Sequence, residues 1–168
     1  MRSGAWRALV LGTAVVVASA LLFGSEQKAL AEGRGGGEAF GSFSTGVFTT
    51  TFDVYQHSAD PHDADGYVRA HPGPPGTPVL EGLGARGHVT CVDIKGNKVG
   101  VIYTIEEGSE PAFLRGQVIF AAGVDNHGNG PDLSGFIGGP PDLFPGCDPD
   151  LVPVTPVLHG DFTIRHND

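Results

Sequence analysis

Two short stretches of this 168-residue chain carry the side chains best suited to chemistry. His57, Asp60, His62, Asp63 and Asp65 lie close together and end on Gly66. Carboxylates at alternate positions before a glycine form a hard-ligand pattern suited to calcium, and the imidazoles among them favour a transition metal instead. Asp125 and Asp132 bracket the second stretch, Asn126-His127-Gly128-Asn129-Gly130-Pro131, whose oxygens can wrap a cation in the same way. Each stretch also has a plainer account. An EF-hand loop needs a further central acid and a bidentate glutamate at its twelfth position, whereas the first stretch runs straight into Tyr67 and Val68. Asp, Asn and Gly tolerate left-handed turn geometry, so a loop between strands selects them without any metal. The expectation is turn chemistry and no cofactor, with a bound metal ion as the alternative. His88 and His159 gain interest only if their two strands prove to be neighbours.

Covalent catalysis finds little support. Ser42, Ser44, Ser58, Ser109 and Ser134 lie in no G-x-S-x-G elbow, and no phosphate-cradling glycine motif is present. Glu106, Glu107 and Glu110 fall in a turn with Gly108 and Ser109, which suits a solvated tip better than a cleft. Phe40, Phe43, Phe48, Phe52 and Tyr55 offer surfaces on which a sugar can stack, although at strand positions core packing is the simpler account.

The elements that must position these residues begin after a leader. Arg2 and Arg7 precede an uncharged run from Ala8 to Gly24, and Ala29-Leu30-Ala31 closes it with a small-x-small pattern. This reads as a signal peptide over residues 1–31, cleaved on export, which sends the protein outside the cell and leaves it no membrane segment. Residues 32–39 read as a flexible glycine-rich linker and residues 40–168 as a single domain. Beyond the leader the chain carries a net charge of −11. That charge argues against nucleic acid as a partner, since phosphate binding needs clustered Lys and Arg, and leaves a protein or glycan ligand open.

Cys91 and Cys147 are the only cysteines, so an oxidising compartment permits one pairing. Closing a loop of this length is worth about 4 kcal/mol on the chain-entropy estimate.

Short β-rich runs separated by Gly and Pro fill the domain. Val47 to Tyr55 is a strand with Phe48, Thr50, Phe52 and Val54 on one face, and Tyr67 to His71 returns beside it. Gly87 to Ile105 is a hairpin about Gly96-Asn97. Pairing Lys95 with Lys98 puts Val92, Ile94, Val99 and Val101 on a core face, with Thr90 opposite Tyr103. The other face then pairs Cys91 with Ile102 and Val89 with Thr104, and a loop bearing Cys147 would cover it. Gln117 to Val124, Leu133 to Ile137 and Val157 to Arg165 complete the set, with residues 138–156 as loop. The fold class is all-β, an antiparallel sandwich or small barrel of about six to eight strands.

The pattern Gly87-His88-Val89-Thr90-Cys91-Val92-x-Ile94-x-Gly96-Asn97, then Val124-Asp125-Asn126-x-Gly128, Pro131-Asp132-x-Ser134, Cys147 and Gly160-Asp161-Phe162-Thr163-Ile164, resembles a group of small exported bacterial proteins of unknown function. The resemblance implies an exported all-β domain and brings no activity, cofactor or catalytic residue. The expected function is non-catalytic: a secreted acidic domain acting by surface recognition or as an envelope component. The alternative is a small exported enzyme or metal-dependent binder using loops 57–65 and 125–132.

Overall fold

β-Branched and aromatic residues alternate with polar ones along most of the domain, and that period of two can bury only one face of a strand. In a computed structural model, which describes residues 35–46, 48–73, 84–109 and 112–167, the result is a single antiparallel sheet. The leader, Val47 and the proline run after Gly73 lie outside the described residues. The strands are β1 (Gly37–Ser44), β2 (Phe48–Gln56), β3 (Ala64–Pro72), β4 (Ala85–Lys95), β5 (Lys98–Ile105), β6 (Val118–Val124), β7 (Leu133–Gly139), β8 (Thr155–Pro156) and β9 (His159–His166). Their order is β8-β7-β6-β5-β4-β3-β2-β1-β9, a meander in which only β9 is out of sequence, added beside β1. Among the described residues the only helical structure is three single turns of 3₁₀ helix, and no helix is long and apolar enough to cross a membrane.

The sheet curls so that its inner face becomes the main core. Phe43, Phe52 and Phe162, from β1, β2 and β9, cluster with ring centroids 5.5 to 6.0 Å apart, Phe52 meeting the other two edge-on and Phe43 tilted against Phe162. Val54, Val68, Val92 and Val101 extend this core across the middle strands. Each such side chain contributes roughly 1.5 to 3 kcal/mol by burial.

A second, smaller core lies on the outer face of β4, β5 and β6. There the segment after β7 crosses the sheet as a strap, and Cys147 bonds Cys91 with the Cα atoms 6.1 Å apart. Ile102, Phe120 and Val152 are buried beneath it. The approach is close enough to require glycine: a Cβ on Gly100 would lie 1.9 Å from the Cys147 carbonyl oxygen. Asp148 of the strap also accepts from Lys95 Nζ at 2.7 Å, and Asp150 pairs with Lys98. The two lysines that face each other at the hairpin end are thus separately neutralised.

Three features depart from the pattern reading. The hairpin register holds from Lys95 back to Cys91, but a bulge then makes Thr90 an extra residue, so Val89 pairs with Tyr103 and not with Thr104. Val89 therefore turns into the inner core, not beneath the strap. The stretch expected as linker is strand from Gly37, because its glycines allow β9 to come near: a Cβ on Gly37 would lie 2.6 Å from the Arg165 carbonyl oxygen. Among the described residues the strands number nine and share one sheet, the added members being β1 and the two-residue β8 in the segment read as loop.

Candidate functional site

The two Asp-rich stretches behave differently, and neither gathers a ligand set. His57, Asp60, His62 and Asp63 sit at the exposed tip between β2 and β3, and Asp65 follows as the second residue of β3. His57 Nε2 lies 3.3 Å from Asp65 Oδ2, and Asp60 Oδ1 accepts from the His62 amide at 2.9 Å, an ordinary Asx turn. The tip is tied down by its backbone: the Val92 amide donates to the Pro61 carbonyl at 2.8 Å. Among the described residues, no three His, Cys, Asp or Glu side chains converge where a metal ion could sit. His88 and His159 lie on β4 and β9, which are separated by three intervening strands.

Asp125 and Asp132 are 4 % and 6 % exposed. They point at the free edge of β9. Asp132 Oδ2 accepts from the Phe162 amide at 2.9 Å, and Asp125 Oδ2 accepts from the Ile164 amide at 3.0 Å. Their other oxygens accept from the Asn126 and His127 amides of their own loop. His127, with φ of 50°, is the only non-glycine described in the left-handed region. Each buried carboxylate is thus held by two N–H donors, the condition under which a buried charge is tolerated. Together they stand in for the missing neighbour of β9 and draw the two ends of the curled sheet together. The Val157 amide adds a backbone bond to the Asp132 carbonyl at 2.8 Å in the same seam.

Past that seam the inner face is not filled. A cavity of about 60 Å³ remains there. Phe52, Val68, Val101, Ala121 and Phe162 form its wall, while Phe48 of β2 and Phe136 of β7, 41 % and 59 % exposed, stand at its mouth. None of the described residues lining it is charged. Its polar groups are hydroxyls: Thr45, Thr50, Ser134 and Tyr103. Ser134 and Tyr103 are 5 % and 9 % exposed. No described residue hydrogen-bonds the Tyr103 hydroxyl, and burial pushes this phenol up to about 12, so it stays a neutral O–H at ordinary pH.

No protein-family model, curated protein or solved structure matched the chain. The residues themselves therefore carry the functional argument.

The sequence pattern gave no separate sign of this cavity. Phe48 and Phe52 read as ordinary strand residues, and Ser134, Phe136 and Tyr103 join them only through pairings between distant parts of the chain. Of the aromatic residues considered for stacking, Phe43 and Phe52 are core, Phe48 is at the mouth, and Phe40 and Tyr55 lie on the outer face. Arg165 covers the Phe40 ring at 4.8 Å.

Proposed function

We propose that this protein is an exported, non-catalytic domain that acts by recognition, and that its recognition site is the uncharged cavity between Phe48 and Phe136. One observation carries this reading: an apolar pocket with a few hydroxyls and two exposed aromatic rings at its mouth. Concave apolar sites with a few placed polar groups are where small molecules bind. The fold supports the reading as a small barrel, with the curl closed at one end by Asp125 and Asp132 and open at the other. Small barrels hold a guest inside when side chains do not fill them. The leader pattern, the disulfide and the acidic surface favour action outside the cell or at its envelope.

The test is titration with the neutral fluorophore N-phenyl-1-naphthylamine. Saturable fluorescence enhancement is expected, and it should weaken at least tenfold in Phe48→Asp and Phe136→Asp, where a charge stands in the mouth. Enhancement that is absent, or unchanged in both variants, would remove the cavity from consideration. Turnover on a panel of hydrolase substrates would defeat the non-catalytic part of the reading.

A further inference from the structure

We infer that the guest presents an uncharged apolar end bearing a hydrogen-bond acceptor, such as a carbonyl or ether oxygen, and that the Tyr103 hydroxyl donates to that acceptor. This rests on the proposed pocket and narrows its ligand class.

Three properties of the cavity select such a guest. First, its size. A void of about 60 Å³ holds only a few water-sized spheres and is smaller than the roughly 150 Å³ engineered cavity that encloses benzene. A ring or chain end can enter, and the remainder must lie between Phe48 and Phe136 in the mouth. Second, its charge. No Lys, Arg or His among the described lining residues can neutralise a carboxylate or phosphate, and no Asp or Glu can neutralise an amine. Carrying an ionised group into such a site costs several kcal/mol, so an ionised end is rejected.

Third, its unused donors. Tyr103 and Ser134 are at least nine-tenths buried, both line the cavity, and neither hydroxyl bonds a described residue. Neither hydroxyl is sealed from water in the empty cavity, so a guest acceptor replaces water as the partner, whereas a guest without one covers the hydroxyl and leaves it unpaired. Tyr103 is the better placed of the two to discriminate. Its ring is fixed against the β4 backbone, where a Cβ on Gly87 would meet the ring at 2.1 Å. A donor on a rigid ring selects by position, whereas a serine hydroxyl rotates to suit. A site built to pair with a polar atom also discriminates against the analogue that lacks it, because the site's own group is then left unpaired.

The deciding comparison uses acetophenone, ethylbenzene and benzoate, three compounds of similar shape, titrated into the ¹⁵N-labelled exported protein and followed by amide shifts in β5 and β9. Acetophenone is expected to bind about five- to tenfold more tightly than ethylbenzene, the gain of one neutral hydrogen bond, and benzoate more weakly than either. In Tyr103→Phe the acetophenone advantage should vanish while ethylbenzene affinity is kept, and Ser134→Ala should leave most of it. Equal binding of acetophenone and ethylbenzene by the unaltered protein, an advantage that survives Tyr103→Phe, or benzoate binding as tightly as acetophenone would overturn the inference while leaving the pocket standing. Absence of any shift with both neutral compounds would overturn the pocket reading itself, and this inference with it. Phe48→Ala should weaken both neutral ligands alike, because the ring at the mouth touches either one, and this separates the two failures.

Discussion

The carboxylate of Asp132 reaches across the seam to the amide of Phe162, 2.9 Å away, and so joins the loop after β6 to the final strand at a place where no backbone ladder does. The Phe162 ring lines the cavity. Holding that amide therefore also fixes part of the cavity wall. In Asp132→Ala two amides lose their acceptor, and an unpaired buried donor costs about 1 to 3 kcal/mol. Urea unfolding is expected to show a loss of about 2 to 4 kcal/mol, with Asp132→Asn intermediate because one acceptor oxygen remains. A change below about 0.5 kcal/mol would mean that the seam contributes nothing.

Asp125 and Asp132 act on the same strand two residues apart, so their removal should not be additive. Once one is gone, β9 can lift from the seam and the other loses part of its value. A double-mutant cycle by urea titration should return a coupling of about 0.5 to 2 kcal/mol. Strict additivity would indicate two independent loop anchors in place of one seam.

Reduction of Cys91–Cys147 should lower stability by about 4 kcal/mol, since the bridge closes a long loop and holds the strap over Ile102 and Phe120. Melting with and without a thiol reductant measures this. An unshifted midpoint, with reduction verified by mass, would show that the strap stays docked without its sulfur bond.

Gly100→Ala tests the strap from beneath, because its Cβ would fall 1.9 Å from the Cys147 carbonyl oxygen. Overpacking of this kind costs about 1 to 3 kcal/mol. Gly108→Ala, with nothing within 4 Å of the new Cβ, serves as the comparison and should be nearly neutral. A harmless Gly100→Ala would mean that the strap does not press on β5.

Alkaline titration should expose Tyr103. Its folded pKa is raised to about 12 by burial, against an ordinary value of 10.0. Between those values the unfolded chain gives up the phenolic proton and the folded one keeps it. The contribution is complete below pH 10 and declines as pH rises toward 12. Tyr103→Phe should flatten that part of the stability profile, and a profile identical to that of the unaltered protein would contradict the burial of this ring.

Much of the sheet was legible because its signals are local. Alternation located β2, β5, β6 and β9 to within a residue or two, and Gly96-Asn97 fixed the hairpin register as far as Cys91. The cysteine count fixed the strap. The bulge at Thr90 was not legible, since threonine serves equally well in register or out of it. β1 was hidden because Gly37 falls in a glycine-rich run that looks like linker, and its use for close approach depends on β9, more than a hundred residues later. The same limit applied at Asp125 and Asp132. Turn chemistry and metal ligation both explain Asp beside Asn and Gly, and only the distant amides of Phe162 and Ile164 reveal a third use.

The strap has a mechanical consequence. β4, β5 and β6 are packed on both faces, so they form a stiff wall, whereas β1, β2 and β9 are packed on the inner face and leave Ser42, Thr51, Asp53 and Arg165 in solvent on the other. A guest that needs more room than the resting cavity provides will push against unequal neighbours, and the thinner side will give way. Expansion of the chamber is therefore directional, like a box with one fixed panel and one that bows.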